Sequence, residues 1–180
     1  MKEAMRTSLR PPVPEQRSPT VESKVAIARH PLHPILVVYP IASLSLLLPA
    51  DVLHLWTGDG FWATAAWWLN LLGLVAGLVA AVVGICDMFL IRVARRHVSV
   101  WNHFIAGVML LSIAALGVWL RLLDPAATWP WLVLQSSMAL VMVLVVGWLG
   151  GTLSFGHGIG VYGHPEGDDA VNSADRALEE

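Results

Sequence analysis

The sequence predicts an all-α fold: an integral membrane four-helix bundle with both termini on the cytoplasmic side. Three observations predict it. The first is composition: 56% of residues are hydrophobic and 13% charged, with a mean hydropathy of +0.65. An average soluble domain carries about 25% charged residues. The second is placement. Charge crowds into the first thirty positions and the last fifteen, and four apolar runs lie between, roughly Pro34 to Trp56, Trp62 to Ile91, Val98 to Leu120 and Trp129 to Phe155. A bilayer core about 30 Å thick takes about 20 apolar helical residues to cross, and each run is long enough. A soluble domain with four such helices would lack the polar shell to cover them. The third observation is the asymmetry of Lys and Arg, which collect on cytoplasmic flanks. Lys2, Arg6, Arg10, Arg17, Lys24 and Arg29 precede the first run, and Arg92, Arg95 and Arg96 link the second to the third. The first link has no Lys or Arg, and the third has only Arg121.

Taken in order, residues 1–29 read as a cytoplasmic tail. Their Pro, Ser and mixed charges suit a flexible segment, and no apolar stretch near the start makes them a cleavable signal. Residues 30–161 form the transmembrane domain. RHPLHPILVVYP opens the first helix, where proline suits the first turn because its missing N–H has no partner there in any case; Pro40 is expected to bend that helix. The second helix carries Gly73, Gly77, Ala80, Gly84 and Asp87 in steps of four and three. The third carries His103, Gly107, Leu110, Ala114 and Gly117, and the fourth Gly147, Gly150, Ser154 and His157 if it stays helical. Small residues mark faces where membrane helices approach closely, so Asp87, His103 and His157 are expected to point into the bundle. Residues 162–180, ending DDAVNSADRALEE, read as an acidic cytoplasmic tail. Trp56, Trp62, Trp67, Trp68, Trp119, Trp129 and Trp131 sit near the expected outer ends, as an aromatic belt does, with Trp101 and Trp148 nearer the inner face.

With that orientation, six of the seven histidines fall toward the cytoplasmic side: His30, His33, His97, His103, His157 and His164, with His54 alone outside. Asp87 lies five residues before Arg92 and His103 seven after Arg96. At about 1.5 Å per residue, both are displaced into the membrane by one to two turns on antiparallel neighbours, so they are expected to meet. Ionisable groups inside a membrane are costly and point to function, although an Asp–His bond that only joins two helices also satisfies the cost. The single cysteine, Cys86, excludes an internal disulfide and a Cys-rich metal site. Hydrolytic motifs are absent: there is no GxSxG, no HExxH and no phosphate loop. The basic residues serve topology, and no nucleic-acid partner is expected.

Four stretches together resemble a bacterial family of four-helix membrane proteins catalogued as domain of unknown function 2231. They are HPLHPILVVYPIA at 30–42, GICDMFLI at 84–91, an Arg-rich link leading into WNHF at 101–104, and GWLGGTLSFGHGIGV at 147–161. The resemblance implies a membrane electron-transfer module, since some members are fused to Rieske-type iron–sulfur domains and the histidine-bearing layout is similar to b-type cytochromes. No Rieske segment occurs in this chain. It also departs from the pattern around Asn102, where His97 stands five before and His103 directly after, and at Phe155 and Gly156, where a basic residue usually precedes His-Gly.

Three functions are weighed from these residues. In the first, haem b is bound by His33 and His103, with His157 as the substitute ligand and Asp87 orienting an imidazole through its second nitrogen. The chain would then pass electrons to a redox partner in the bacterial inner membrane. In the second, the chain is a non-enzymatic accessory subunit whose only certain partner is the lipid bilayer and whose polar cluster fixes helix register within a larger membrane complex. In the third, His33, His103 and His157, with Asp87, bind a transition metal. Substituting His103 separates the first from the second, because only a cofactor site loses a spectroscopic signal.

Overall fold

The computed structural model describes residues 21–124 and 128–160. The chain approaches the bundle through two short antiparallel strands, β1 (Ala26–Ile27) and β2 (His30–Pro31), joined through Ala28 and Arg29. Pro31, at φ −60° and ψ 127°, then caps α1 (Leu32–Leu36). Its ring holds φ at the value this threshold needs. After Val37 the helix resumes as α2 (Val38–Thr57), and the two together make a span of 26 residues. The interruption has a local cause. Pro40 has no N–H to offer the Leu36 carbonyl, and the bend expected at that proline is found just before it.

Gly58 ends α2 in the left-handed conformation at φ 68°, its N–H bonded to the His54 carbonyl. This is a common way for a helix to stop. Asp59 starts α3 (Gly60–Leu90) by accepting from the Phe61 N–H at 2.9 Å, an N-cap bond. A short α4 (Arg92–Arg96) carries the basic link, and His97, in extended conformation, leads into α5 (Val98–Leu123). A kinked segment, Thr128–Leu132, in which Trp129 is extended at φ −110° and ψ 136°, precedes α6 (Val133–Gly151), and a π turn at Thr152–Gly156 follows it. Four spans result, Leu32–Thr57, Gly60–Leu90, Val98–Leu123 and Trp129–Gly156, each long and apolar enough to cross a membrane.

The main helix contacts run from each span to the next and from the fourth back to the first, so the first and third spans face one another across the centre. One core cluster fills the middle with Leu44, Leu47, Ala50, Ala66, Leu110, Ala114, Ala139 and Val143. Several of the expected small residues make the close approaches. A Cβ at Gly73 would come within 2.6 Å of Leu44, and one at Gly77 within 2.6 Å of Leu111. Gly107 and Gly147 differ from expectation, because a Cβ at either would meet open space. The outward surface is apolar as well: Leu46, Val75, Val82, Ile105, Leu116 and Leu144 are all exposed. A bundle that is hydrophobic inside and out is built for lipid.

The end of the bundle at which Val21 and Ile159 lie is termed proximal, and the opposite end distal. At the proximal end Val21 and Ile159 form a parallel bridge, with the Val21 N–H donating to the Gly158 carbonyl at 2.9 Å and the Gly160 N–H to the Val21 carbonyl at 2.8 Å. This clasp covers a second apolar cluster of Met88, Ile91, Ala94, Val100 and Leu153. Residues 21–29, grouped with the tail on composition, therefore belong to the folded part. The remaining tail assignments, 1–20 and 162–180, lie outside the described residues.

Candidate functional site

His33 projects from α1 into the proximal half of the bundle and is half-buried. Its Nδ1 lies 2.9 Å from the Ala80 carbonyl of α3. A carbonyl only accepts, so Nδ1 carries the hydrogen in that bond and Nε2 is left with its lone pair. The ring rests on Gly84, where a Cβ would come within 2.8 Å of it. His103 reaches in from α5 and rests on Gly150 of α6, where a Cβ would stand 3.2 Å from the ring. Its Nδ1 is buried without a hydrogen-bond partner. The two imidazoles meet across the bundle with centroids 6.2 Å apart and planes at 89°. Each thus comes from one of the two diagonal spans and is flanked by a glycine of an adjacent one.

The other expected members stand elsewhere. Asp87 does not meet His103. Its Oδ1 accepts from the backbone N–H groups of Lys24 at 2.7 Å and Val25 at 2.9 Å, and its Oδ2 from the Ser23 hydroxyl at 2.5 Å. It tethers the lead-in segment to α3. His157 does not continue the face of Gly147 and Gly150, because the α-helix gives way to the wider π turn at Thr152. Its ring lies 4.3 Å from that of His97 at a 54° tilt, with Nε2 3.4 Å from the Ser99 hydroxyl. His30 bonds locally, Nδ1 to the Ala28 carbonyl at 2.9 Å. His164 lies outside the described residues. The four residues weighed as one metal set are split among three places, and among the described residues no group of three or more His, Cys, Asp or Glu is placed to hold a metal ion.

Does the His33–His103 pair fit a haem? Haem iron accepts two axial imidazoles, and bundles supply such ligands from facing helices. Two metal–nitrogen bonds of about 2.0 Å each, with the ring radii added, bring the centroids to roughly 6 Å. An edge-to-face ring contact covers the same range, so the separation alone does not choose. Two features of the pair do favour a ligand. His33 has its tautomer fixed by a carbonyl, as metal-binding imidazoles commonly do, and His103 keeps a buried ring nitrogen that hydrogen bonds leave unsatisfied.

A second polar group, which the sequence reading did not assemble, occupies the distal half. Asp51 of α2 and Arg121 of α5 are 1% and 3% exposed and form a two-pronged ion pair, Nη1 to Oδ1 at 2.9 Å and Nη2 to Oδ2 at 2.7 Å. Asn70 of α3 and Gln135 and Ser136 of α6 are buried as well. All four spans therefore contribute. The signal was present in the helical stripes. Stepping back from Gly73 reaches Asn70, and stepping on from Gly117 reaches Arg121.

The model of a family described as predicted membrane protein (DUF2231) matches residues 29–163. No curated protein and no solved structure matches the chain.

Proposed function

The chain belongs to this DUF2231 family of predicted membrane proteins, and from that premise we propose that its bundle holds a b-type haem between His33 and His103 and serves a redox complex as an electron-transfer module. One observation carries the reading: across the bundle from His33, whose Nδ1 is engaged by the Ala80 carbonyl, His103 keeps a buried ring nitrogen without a hydrogen-bond partner. A bound haem would supply a one-electron couple whose potential is set by its axial ligands and surroundings. The chain's own part is to hold the ligands. The Ala80 carbonyl fixes the His33 ring through Nδ1, and His103 offers the second nitrogen. Gly84 lets helix backbone come up to the His33 ring where a side chain would collide with it, and Gly150 makes a close approach to the His103 ring that a Cβ would tighten to 3.2 Å. His157, weighed as a substitute ligand, pairs instead with His97 at the proximal surface. Asp87 acts indirectly, by holding residues 23–25 beside α3.

We place the proximal end, with Arg92, Arg95 and Arg96, on the cytoplasmic side of a bacterial inner membrane, on the strength of the basic flanks. The deciding measurement is an absorption spectrum of detergent-purified protein from cells supplied with haem precursor, oxidised and then reduced with dithionite. The expected result is a Soret band with sharp reduced α and β bands, lost in His33→Ala and in His103→Ala. A folded, colourless wild-type protein would discard the haem and leave the bundle as a packing subunit of a larger membrane complex. Metal analysis of that sample would distinguish this outcome from a two-imidazole site for zinc or copper.

A further inference from the structure

We propose that the basic turn α4 and the exposed stripe of α5 beside it form a binding site for one anionic phospholipid. Arg92, Arg95 and Arg96 hold the phosphate, and an acyl chain lies along Trp101, Ile105 and Val108. The site requires the four spans, but neither the haem nor a particular side of the membrane for the proximal end.

Charge is the first support. Ala94 and Ile91, the residue before α4, are buried in the proximal core cluster with Met88, Val100 and Leu153. That contact turns the other side of α4 outward. Arg95 and Arg96 each stand about one turn from Arg92, the spacing of neighbours on a helix surface, and all three are exposed. Among the described residues none of the three enters an ion pair. Asp87, the nearest acid in the sequence, is already occupied by the Ser23 hydroxyl and the N–H groups of Lys24 and Val25. Those same bonds keep Lys24, also exposed, at this end of the bundle. Three guanidinium forks on one side of a five-residue helix match phosphate oxygens two at a time.

The neighbouring apolar surface makes this a lipid site and not a site for a soluble anion. Trp101, in the first turn of α5, donates its indole N–H to the Arg95 carbonyl at 2.9 Å. The bond fixes the tryptophan directly beside the basic turn. Phe104 supports the ring from an edge-to-face position, with centroids 5.9 Å apart. Ile105 and Val108 follow Trp101 by four and seven residues, so the three share one face of α5, and all are exposed. The stripe therefore leads from the arginines toward the middle of the span. Phe89 and Leu90, exposed at the end of α3, flank the same turn. A charged head above an apolar stripe is the orientation a phospholipid already has in its leaflet. A zwitterionic lipid brings an ammonium that offsets its phosphate and meets the arginines with like charge, so the site selects a headgroup without a cation.

The test titrates the detergent-purified full chain with phosphatidylglycerol and, separately, with phosphatidylcholine of the same acyl chains, read by native mass spectrometry. Phosphatidylglycerol is expected to bind tighter by at least about tenfold, at a few-fold for each arginine. The preference should vanish in the Arg92→Gln, Arg95→Gln, Arg96→Gln triple variant. These arginines also bias insertion, so a second measurement uses the wild type alone. Phosphatidylglycerol with a photoreactive group in its acyl chain is expected to crosslink within residues 89–108. A wild type without preference would overturn the proposal, as would a preference that survives in the folded triple variant. Crosslinks spread evenly over the four spans, or displacement by an equal concentration of soluble glycerol phosphate, would overturn it too. Glu166, Asp168 and Asp169, which lie outside the described residues, offer a competing occupant. If neutralising them as Glu166→Gln, Asp168→Asn and Asp169→Asn creates a preference that the wild type lacks, the chain itself covers the arginines and the lipid site is discarded.

Discussion

Arg121 is gripped by Asp51 through both prongs of its guanidinium, with both side chains almost wholly buried. Removing one partner of such a pair strands the other charge in a medium that cannot solvate it. Arg121→Leu and Asp51→Leu are each expected to cost about 3–5 kcal/mol, the usual range for one broken buried pair. Replacing both at once with Leu and Met should recover most of that loss. Chemical unfolding of the four proteins in the same bicelles measures the difference. An Arg121→Leu protein as stable as the wild type would show that the pair contributes nothing. This pair was hard to see in the sequence for a physical reason. Arg121 follows a long apolar run, where an arginine usually reaches for water, and Asp51 stands near the distal end of another. Only their faces betray them: Leu44, Leu47 and Asp51 are spaced by three and four, as are Ala114, Gly117 and Arg121. His33 and His103 were legible as candidates because ionisable groups at membrane depth stand out. Their pairing was expected and is found; that Asp87 would meet neither depends on the lead-in segment that takes up its carboxylate, which spacing along one helix does not encode.

At the scale of the element, the four spans were legible almost to the residue, because length and apolarity alone determine what crosses a bilayer. The second is the longest, 31 residues or about 46 Å at 1.5 Å per residue, so it overshoots a core of about 30 Å. Two features were not legible. The π turn after α6 takes His157 off its expected face, and nothing in TLSFG distinguishes that turn from more α-helix. The ordered lead-in, residues 21–29, has the polar composition of a tail but is held by Asp87. Asp87→Ala removes the acceptor of three hydrogen bonds and so should free this segment first. Amide hydrogen exchange at Lys24 and Val25 is expected to speed up by about tenfold to a hundredfold, given about 1.5–3 kcal/mol for a hydrogen bond to a charged group. Exchange at Leu110, in the central core, should not change. Equal acceleration at both places would mean that Asp87 supports the whole bundle.

For the whole molecule, the described part of the bundle has a polar group on either side of the apolar core of Leu44, Leu110, Ala139 and Val143: imidazoles in the proximal half and a compensated ion pair in the distal half. Which of these halves faces the cytoplasm is open to direct measurement. In a Cys86→Ser background, a membrane-impermeant maleimide should label Arg96→Cys only from the cytoplasmic face and Leu123→Cys only from the other. The reverse pattern would invert the proposed topology.

The bridge between Val21 and Ile159 has a consequence for synthesis and for architecture. It joins residue 21, ahead of the first span, to residue 159, after the fourth, so all four spans must be synthesised before the proximal end can close. It also brings the two ends of the folded chain side by side. A domain appended at either end would hang over the same proximal face, beside the His97–His157 pair. Conversely, the polypeptide could be joined end to end and reopened at the tight Thr57–Asp59 turn with its contacts preserved.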